Sequence, residues 1–327
     1  MSDALLNEWQ RGFPLVPRPY AEIGGKLGMA EDHVLAALSG WLADGTLSRI
    51  GVVFAPRAAG ASTLAAMRVP PPDLERVASL VSAQPEVNHN YEREHAINLW
   101  FVATAPSQQK LDAALERIGA LAGLEVLSLP MVEEFHIDLG FDLATGAVPR
   151  RGTAARTPST LDEGDRPLVA ALEGGFPLVP RPYAAIGERA GLEEATVIAR
   201  LARWVDTGIA RRVGLVLRHR SLGIDANAMA VWDVPDEWVP VIGAQLAAEP
   251  AVTLCYRRER RLPQWPYNLY CMLHGRDRGA VVATLASLRE RAGLAAFPHA
   301  VLFSARCFKQ RGANYSGAAR YALRGGA

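Results

Sequence analysis

Near the N-terminus, apolar residues recur at the spacing of short helices. Pro19 can open one of them, and residues 30–43 carry an apolar face along a longer one. Gly45 then supplies a helix stop, and the β-rich segment TLSRIGVVF follows, with Gly51 near its centre. Short helices followed by a small hairpin predict a winged helix-turn-helix module.

The next segment alternates between strand and helix patterns. A β-rich run that ends in prolines comes first, followed by an amphipathic helix, two strands around a short turn, another amphipathic helix and a closing strand. The predicted elements are residues 62–70, 73–84, 87–94, 97–104, 108–123 and 125–135. Their order, β-α-β-β-α-β, is that of the ferredoxin-like fold.

The whole unit is present twice. Residues 13–24 read FPLVPRPYAEIG and residues 176–187 read FPLVPRPYAAIG, so they differ at one position. The match continues far downstream, where Tyr91 corresponds to Tyr256. A repeat this long is a tandem duplication, because solenoid repeats have periods of about 20–50 residues. The predicted fold class is therefore α+β, with a winged helix-turn-helix module and a ferredoxin-like domain in each copy.

Composition indicates the boundaries of these units. The stretch ATGAVPRRGTAARTPSTLDEGDRP is rich in Gly, Pro, Thr and Arg, which is typical of a flexible linker. The predicted units are residues 1–58, helix-turn-helix-like; 59–143, ferredoxin-like; 144–166, linker; 167–221, helix-turn-helix-like; 222–311, ferredoxin-like; and 312–327, a flexible tail.

The composition is that of an ordinary globular protein with little net charge. Half of the 327 residues are hydrophobic, and 35 Lys and Arg against 34 Asp and Glu give a formal charge of +1. Without a cationic surplus, the chain is a poor candidate for generic binding to nucleic acids or membrane surfaces. It has three cysteines, too few for a disulfide framework, and neither an apolar run of about 18 residues nor a signal-peptide core. We expect a soluble, cytoplasmic protein.

A helix-turn-helix followed by a ferredoxin-like domain resembles the Lrp/AsnC family of transcription regulators. That resemblance implies DNA binding, but the third helix lacks the chemistry for it. Residues 30–44 contain three acidic residues and no Lys or Arg, and the counterpart at 193–207 offsets Arg200 and Arg203 with three acids. A recognition helix needs donors toward bases and positive charge toward phosphates. We therefore expect the helices to serve as packing or as the wall of a site.

The strongest candidate for a functional site is a polar row in copy one. His89, Tyr91, Arg93 and His95 recur at period two and would share one face of a strand. A solvated face more often carries Lys, Glu and Thr. We interpret the row as a functional site, and a mixed solvated face is the alternative.

Copy two has diverged at this row. It keeps Tyr256 and Arg258, but Leu254 replaces the first histidine and Arg260 stands where His95 did. Imidazoles can titrate near neutral pH or ligate a metal, whereas arginines are permanent cations that suit carboxylates. Equivalent strands of the two copies are therefore predicted to have different roles.

Weaker candidates lie outside the row. Arg18 and Arg181 stand between prolines in the FPLVPRPY motif, either in a rigid turn or as anion ligands on the wall of a cleft. Trp100 and Trp265 are either core aromatics or platforms for a planar ligand. The sequence contains no P-loop, dinucleotide fingerprint, zinc-protease motif or nucleophile elbow.

Together these motifs resemble the siroheme decarboxylases, Lrp/AsnC-like proteins that have become enzymes. The resemblance rests on FPLVPRPY followed by A-x-I-G, on R-x-G-x-V at the wing and on Y-x-R-E-H-x-x-N-L-W-F at the polar row. FHIDLGFDL, residues 135–143, is similar to one subunit of the family, and WPYNLY, residues 265–270, to its partner. The chain thus resembles a natural fusion of the two subunits, of the type found in heme d1 biosynthesis.

The resemblance implies a reaction on a tetrapyrrole. The acetate side chains at C12 and C18 of siroheme would lose carbon dioxide, giving 12,18-didecarboxysiroheme for heme d1 or an alternative route to heme. No redox cofactor would be required, because the iron arrives with the substrate. We expect the two halves to pair, a homodimer, and no nucleic-acid or membrane partner. A tetrapyrrole-sensing or DNA-binding regulator of the Lrp/AsnC type is the alternative.

The resemblance also implies roles for the candidate residues. His89 or His95 would protonate the carbanion left by decarboxylation or ligate the substrate iron. Tyr91 would orient a carboxylate or relay a proton. The residues expected to bind the carboxylate-rich substrate are Arg93, Arg258, Arg260, Arg18, Arg181, Tyr256 and Trp100. Because Leu254 breaks the histidine pattern, we expect one working site per pair of halves.

Overall fold

The computed structural model describes residues 2–137, 160–217 and 226–316. The helices are α1 Ser2–Glu8, α2 Pro19–Leu27, α3 Glu31–Asp44, α4 Leu74–Ala83, α5 Gln108–Ala122, α6 Arg166–Leu172, α7 Pro182–Ala190, α8 Glu194–Asp206, α9 Val239–Ala247 and α10 Arg278–Arg291. The strands are β1 Leu47–Phe54, β2 Ala61–Met67, β3 Val87–Arg93, β4 Leu99–Ala105, β5 Leu127–Leu129, β6 Met131–Ile137, β7 Ala210–Leu217, β8 Ala226–Trp232, β9 Val252–Arg258, β10 Leu269–Gly275 and β11 His299–Gln310. Most of the predicted linker and tail lies outside the described residues, and the domain boundaries stay predictions.

Each copy begins with three helices, as the apolar spacing predicted. Pro19 opens α2 and Pro182 opens α7, because a proline at a helix start has no N–H to leave unpaired. Both helices end at a glycine in the left-handed conformation, Gly28 and Gly191. The apolar faces of the two helical modules merge into one core.

The expected hairpin wing is replaced by one strand from each copy. β1 pairs antiparallel with β7, and Gly51 lies opposite Gly214. The prediction of a hairpin within each copy was wrong, because β-propensity identifies a strand but does not specify its partner. This two-stranded ladder joins the helical modules of the two copies.

The repeated FPLVPRPY motif forms the rest of that junction. The Tyr20 hydroxyl donates to the Pro177 carbonyl at 3.1 Å, and the Tyr183 hydroxyl donates to the Pro14 carbonyl at 2.7 Å. Phe13 and its partner in copy two, Phe176, meet edge to face with 5.8 Å between ring centroids. Each motif therefore binds the other copy of itself across an approximate two-fold relationship.

The other nine strands form one antiparallel sheet in the order β5-β2-β4-β3-β11-β8-β10-β9-β6. The closing strand of each copy starts in its own half and ends in the other half. β5 pairs with β2, and after Pro130 β6 pairs with β9. Likewise, residues 299–303 of β11 pair with β8, and residues 304–310 pair with β3. Pro130, which has no ladder N–H, divides the strand that the sequence predicted as continuous.

The sheet has two kinds of buried face. The outer faces carry α4 and α5 in copy one and α9 and α10 in copy two, each with its own apolar core. The inner faces of the two halves meet in a further core that contains Trp100 and Tyr256 from different copies. Because burial of this mixed layer requires both copies, they form the fold together.

The basic residues of α8 are bound by the chain itself. Arg203 donates to the carboxylate of Asp165 at 2.8 Å, and Arg200 donates to the same carboxylate at 3.2 Å. The buried Asp165 also accepts a hydrogen bond from the Trp204 indole. These arginines hold the start of α6 against the helical module, which agrees with a packing role for α8.

Candidate functional site

Three members of the predicted polar row lie on β3. Tyr91 stands opposite Trp100 of β4, and His89 stands opposite Val102, so both face the layer between the two halves. Arg93 ends the strand and is buried. The period-two spacing therefore placed these three side chains on one face of β3, where Arg93 is buried and His89 and Tyr91 are half-buried.

His95 departs from the row, because β3 ends at Arg93 and the chain turns before β4. Its Nδ1 accepts a hydrogen bond from the Ile97 N–H at 3.0 Å, and its ring lies edge to face on Trp265 at 5.4 Å. His95 borders an open groove of about 580 Å³, which Arg68 also lines. The expectation of four side chains on one strand face was wrong at this position.

His89 is half-buried beside Tyr91. Its Nδ1 lies 3.4 Å from the Tyr91 hydroxyl, and the two rings stack with 6.1 Å between centroids. Burial, together with the positive charge of Arg49, lowers the pKa of His89 to about 4. The imidazole is therefore neutral at neutral pH in the ligand-free protein, which corrects the expectation that it titrates there. A neutral imidazole can accept a proton or ligate iron.

Arg93 and Arg258 cross between the copies in equivalent ways. The Arg93 guanidinium donates to the Leu302 carbonyl on the closing strand of copy two at 3.1 Å. The Arg258 guanidinium donates to the Leu129 carbonyl on the closing strand of copy one at 2.6 Å. Arg258 also lies over the Tyr256 ring at 4.5 Å. Two cations are thus held at the seam between the halves, where low polarity strengthens their attraction for anions.

Aromatic residues of copy two complete the inner layer. Tyr256 stacks on Tyr270 at 5.6 Å, and the Trp265 indole donates to the Tyr270 hydroxyl at 2.6 Å. Trp265 also meets Trp100 of copy one at 4.9 Å. Trp100 is 1% exposed and donates its own N–H to the Ile97 carbonyl. The structure therefore places Trp100 as a core residue beneath the row, without an exposed face for stacking.

Arg18, Arg181 and Arg260 lie away from the His89 row and bind carboxylates of the chain itself. Arg18 pairs with Glu31 and Arg181 pairs with Glu194 on exposed surfaces of the helical modules. The structure does not bring these three arginines together with His89. Their predicted role in substrate binding gains no support from geometry. Arg260 donates to Asp233 at 2.9 Å and to Asp236 at 2.6 Å, beyond the end of β9.

Sequence reasoning missed the residues that the crossed strands bring to the row. Cys307 of β11 stands opposite Tyr91, and at the equivalent place in copy two Glu134 of β6 stands opposite Tyr256. Glu134 is ion-paired with Arg211 of β7. The only available signal was the alignment of the two copies, which gives Cys307 and Glu134 equivalent positions on the closing strands.

The described residues contain neither a metal-binding cluster nor a membrane-spanning helix. In residues 2–137, 160–217 and 226–316, no group of three or more His, Cys, Asp or Glu could hold a metal ion. Over those same ranges, every helix is too short or too polar to cross a lipid bilayer.

Both kinds of module match known families. The family described as AsnC-like ligand binding domain matches residues 59–136 and 221–309. The family described as siroheme decarboxylase NirDL-like HTH domain matches residues 2–47 and 165–211. The two matches alternate along the chain in the order that the repeat predicted.

Similar proteins span both the whole chain and its halves. The siroheme decarboxylase NirDL subunit of Paracoccus denitrificans is 46% identical over 312 residues, covering 94% of this chain and 95% of the relative. The NirD subunit of Stutzerimonas stutzeri is 51% identical over 143 residues, covering 44% of this chain and 94% of the relative. A crystal structure of siroheme decarboxylase NirDL in complex with an iron-uroporphyrin III analogue superposes with a TM-score of 0.70 at 28% identity, covering 96% of this chain and 94% of that chain.

Proposed function

The chain belongs to the siroheme decarboxylase family of the NirDL type, and on that premise we propose that it removes carbon dioxide from the C12 and C18 acetate groups of siroheme. The product would be 12,18-didecarboxysiroheme, for heme d1 or an alternative route to heme. The observation that carries the proposal is the inner-face row, in which a neutral imidazole, a phenol and a buried guanidinium follow one another on β3.

The arginines at the seam are suited to hold the substrate. Arg93 and Arg258 are fixed by carbonyls of the opposite copy, so their guanidinium groups keep a defined position. Each guanidinium has five N–H donors in a rigid fork, so it can bind groups of the protein and a ligand carboxylate together. Charge-assisted bonds to carboxylates of the tetrapyrrole would set its register against β3.

His89 is the candidate proton donor. In decarboxylation the bond between the methylene carbon and the carboxylate breaks, carbon dioxide leaves, and the electron pair stays on the methylene carbon. A proton delivered to that carbon then gives a methyl group. His89 is neutral without ligand, but a polyanionic substrate beside it would raise the pKa of the imidazole. Tyr91, 3.4 Å from Nδ1, would hold the ring in place.

The apolar layer around the row would favour loss of carbon dioxide. A carboxylate loses hydration when it enters such a layer, whereas carbon dioxide is neutral and needs none. Tyr256 and Trp100 belong to this layer.

The same region offers ligands for the substrate iron. A ring nitrogen of His89 or His95 would be a suitable ligand.

One site per chain follows from the difference between the copies. Leu254 takes the place of His89 and cannot carry a proton. Opposite Tyr256 in copy two, the carboxylate of Glu134 already binds the guanidinium of Arg211, so a substrate carboxylate would have to compete for that cation. The copy-two row therefore has a structural role, and decarboxylation takes place at the copy-one row.

Anaerobic incubation of the purified protein with siroheme, followed by mass spectrometry of the tetrapyrrole, tests the proposal. Loss of two carbon dioxide units is the expected result. Binding with no change in mass would overturn it in favour of a tetrapyrrole sensor. Tight binding of duplex DNA without binding of siroheme would favour a transcription regulator.

A further inference from the structure

Arg49 lies on β1 of the helical module, but its side chain reaches the segment that follows the closing strand of copy two. A Cβ atom placed on Gly312 would lie 3.0 Å from Cζ and 3.1 Å from Nη1 of Arg49. On the other side, a Cβ atom on Gly175 would lie 3.2 Å from Cβ of Arg49, and Gly175 has a φ of +86°. Because neither glycine has a side chain, the Arg49 side chain fits between Gly175 and Gly312.

This position brings the guanidinium close to the catalytic row. Gly312 directly follows Arg311, whose backbone N–H donates to the Asn88 carbonyl at 2.9 Å. Asn88 precedes His89 on β3. In agreement with this proximity, burial lowers the pKa of His89 and the charge of Arg49 lowers it further.

The equivalent arginine in copy two, Arg212, has a different role. The Arg212 guanidinium donates to the Leu215 carbonyl at 2.9 Å and to the Gln10 carbonyl, within the junction of the helical modules. Burial lowers its pKa to about 10. Arg212 is therefore a structural residue, and the duplication provides a natural comparison for Arg49.

A cation beside the proton donor can bind an anionic ligand in addition to its protein partner. Alone, Arg49 opposes protonation of His89, which is unfavourable for a general acid. A carboxylate placed between the two groups would accept from the guanidinium and favour the imidazolium at the same time. The guanidinium fork can serve a group of the protein and a ligand together, because it has five donors.

We propose that Arg49 is a substrate-binding residue whose guanidinium holds a peripheral carboxylate of the tetrapyrrole next to His89. The helix-turn-helix module then supplies part of the site. This inference rests on the proposed function, because that function identifies the ligand as a polycarboxylate tetrapyrrole.

Titration of the full-length protein with iron-uroporphyrin III, followed by visible absorbance, tests it. Arg49→Gln should raise the Kd of the folded protein about 10-fold or more, since a bond to a charged ligand group is lost. Arg49→Lys should raise it less, because the charge remains but the fork is lost. The matched control, Arg212→Gln, should lower the melting temperature and leave the Kd unchanged.

Wild-type Kd in folded Arg49→Gln would overturn the inference. If Arg49→Gln does not fold, Arg49→Lys decides: weaker binding supports the inference, and wild-type binding overturns it. Turnover of siroheme by the wild-type protein, measured in parallel, separates this inference from the proposed function. Weaker analogue binding by the variant without wild-type turnover would leave Arg49 as a tetrapyrrole ligand and remove the decarboxylase proposal.

Discussion

His89 and Leu254 occupy equivalent positions in the two halves of the sheet. Each lies two residues before an inward-facing tyrosine, and each stands opposite an apolar residue of the neighbouring strand, Val102 or Met272. One half therefore presents an imidazole to the inner layer where the other half presents an isobutyl group.

Replacement of His89 should affect turnover far more than binding. Since a positioned general acid contributes about 10²–10⁴-fold, His89→Gln should reduce kcat by about 100-fold or more. The Kd for iron-uroporphyrin III should change little. His95→Gln, measured beside it, reports on the histidine of the β3–β4 turn. The reverse pattern, with turnover lost only in His95→Gln, would assign the proton donor to His95.

Binding of the tetrapyrrole should be accompanied by proton uptake. The pKa of His89 is about 4 in the ligand-free protein, and substrate carboxylates raise it. Between the two pKa values the complex holds a proton that the free protein lacks. Iron-uroporphyrin III mixed with the protein in weak buffer at about pH 6 should therefore make the solution more alkaline. His89→Gln should remove most of this change, and an unchanged signal would contradict the assignment.

The same histidine should make the folded state sensitive to acid. The unfolded chain protonates this imidazole near its ordinary pKa of 6.5, and the folded protein does so only near 4, so stability falls as the pH decreases between these values. At about pH 4.5, protonation of this histidine alone lowers the free energy of unfolding by about 2 kcal/mol relative to pH 7. Urea unfolding at pH 7 and at about pH 4.5 measures it. His89→Gln should lose about 2 kcal/mol less than the wild type, and equal losses would contradict the burial of His89.

The two tyrosines of the FPLVPRPY motif should contribute separately to stability. Tyr20→Phe and Tyr183→Phe each remove one hydroxyl that binds a carbonyl of the other copy, at a cost of about 1 kcal/mol. Tyr267→Phe is the matched control, because the Tyr267 hydroxyl has no hydrogen-bond partner within the part of the chain that the structure describes. Urea unfolding of the three variants measures the effects. Equal stability in all three would show that the motif does not join the copies in this way.

Local sequence patterns predicted most of the elements but not how the copies exchange them. Hydrophobic spacing identified the helices and the strand order, and the period-two row of polar residues placed His89 and Tyr91 on one face of a strand. It could not show that β6 pairs with β9 or that β1 pairs with β7, because strand pairing is decided by distant residues. Arg49 was missed for the same reason, since its position beside Gly312 depends on how the two copies pack together. The expected homodimer stays a prediction.

The central claim is one decarboxylating site per chain, with His89 as proton donor. The most direct test mixes siroheme anaerobically with an excess of wild-type protein or His89→Gln, and measures both the siroheme bound per chain and the mass of the tetrapyrrole. We predict one siroheme per chain, with two carbon dioxide units lost in the wild type and none in the variant. Two siroheme molecules per chain, or full conversion by His89→Gln, would contradict the account.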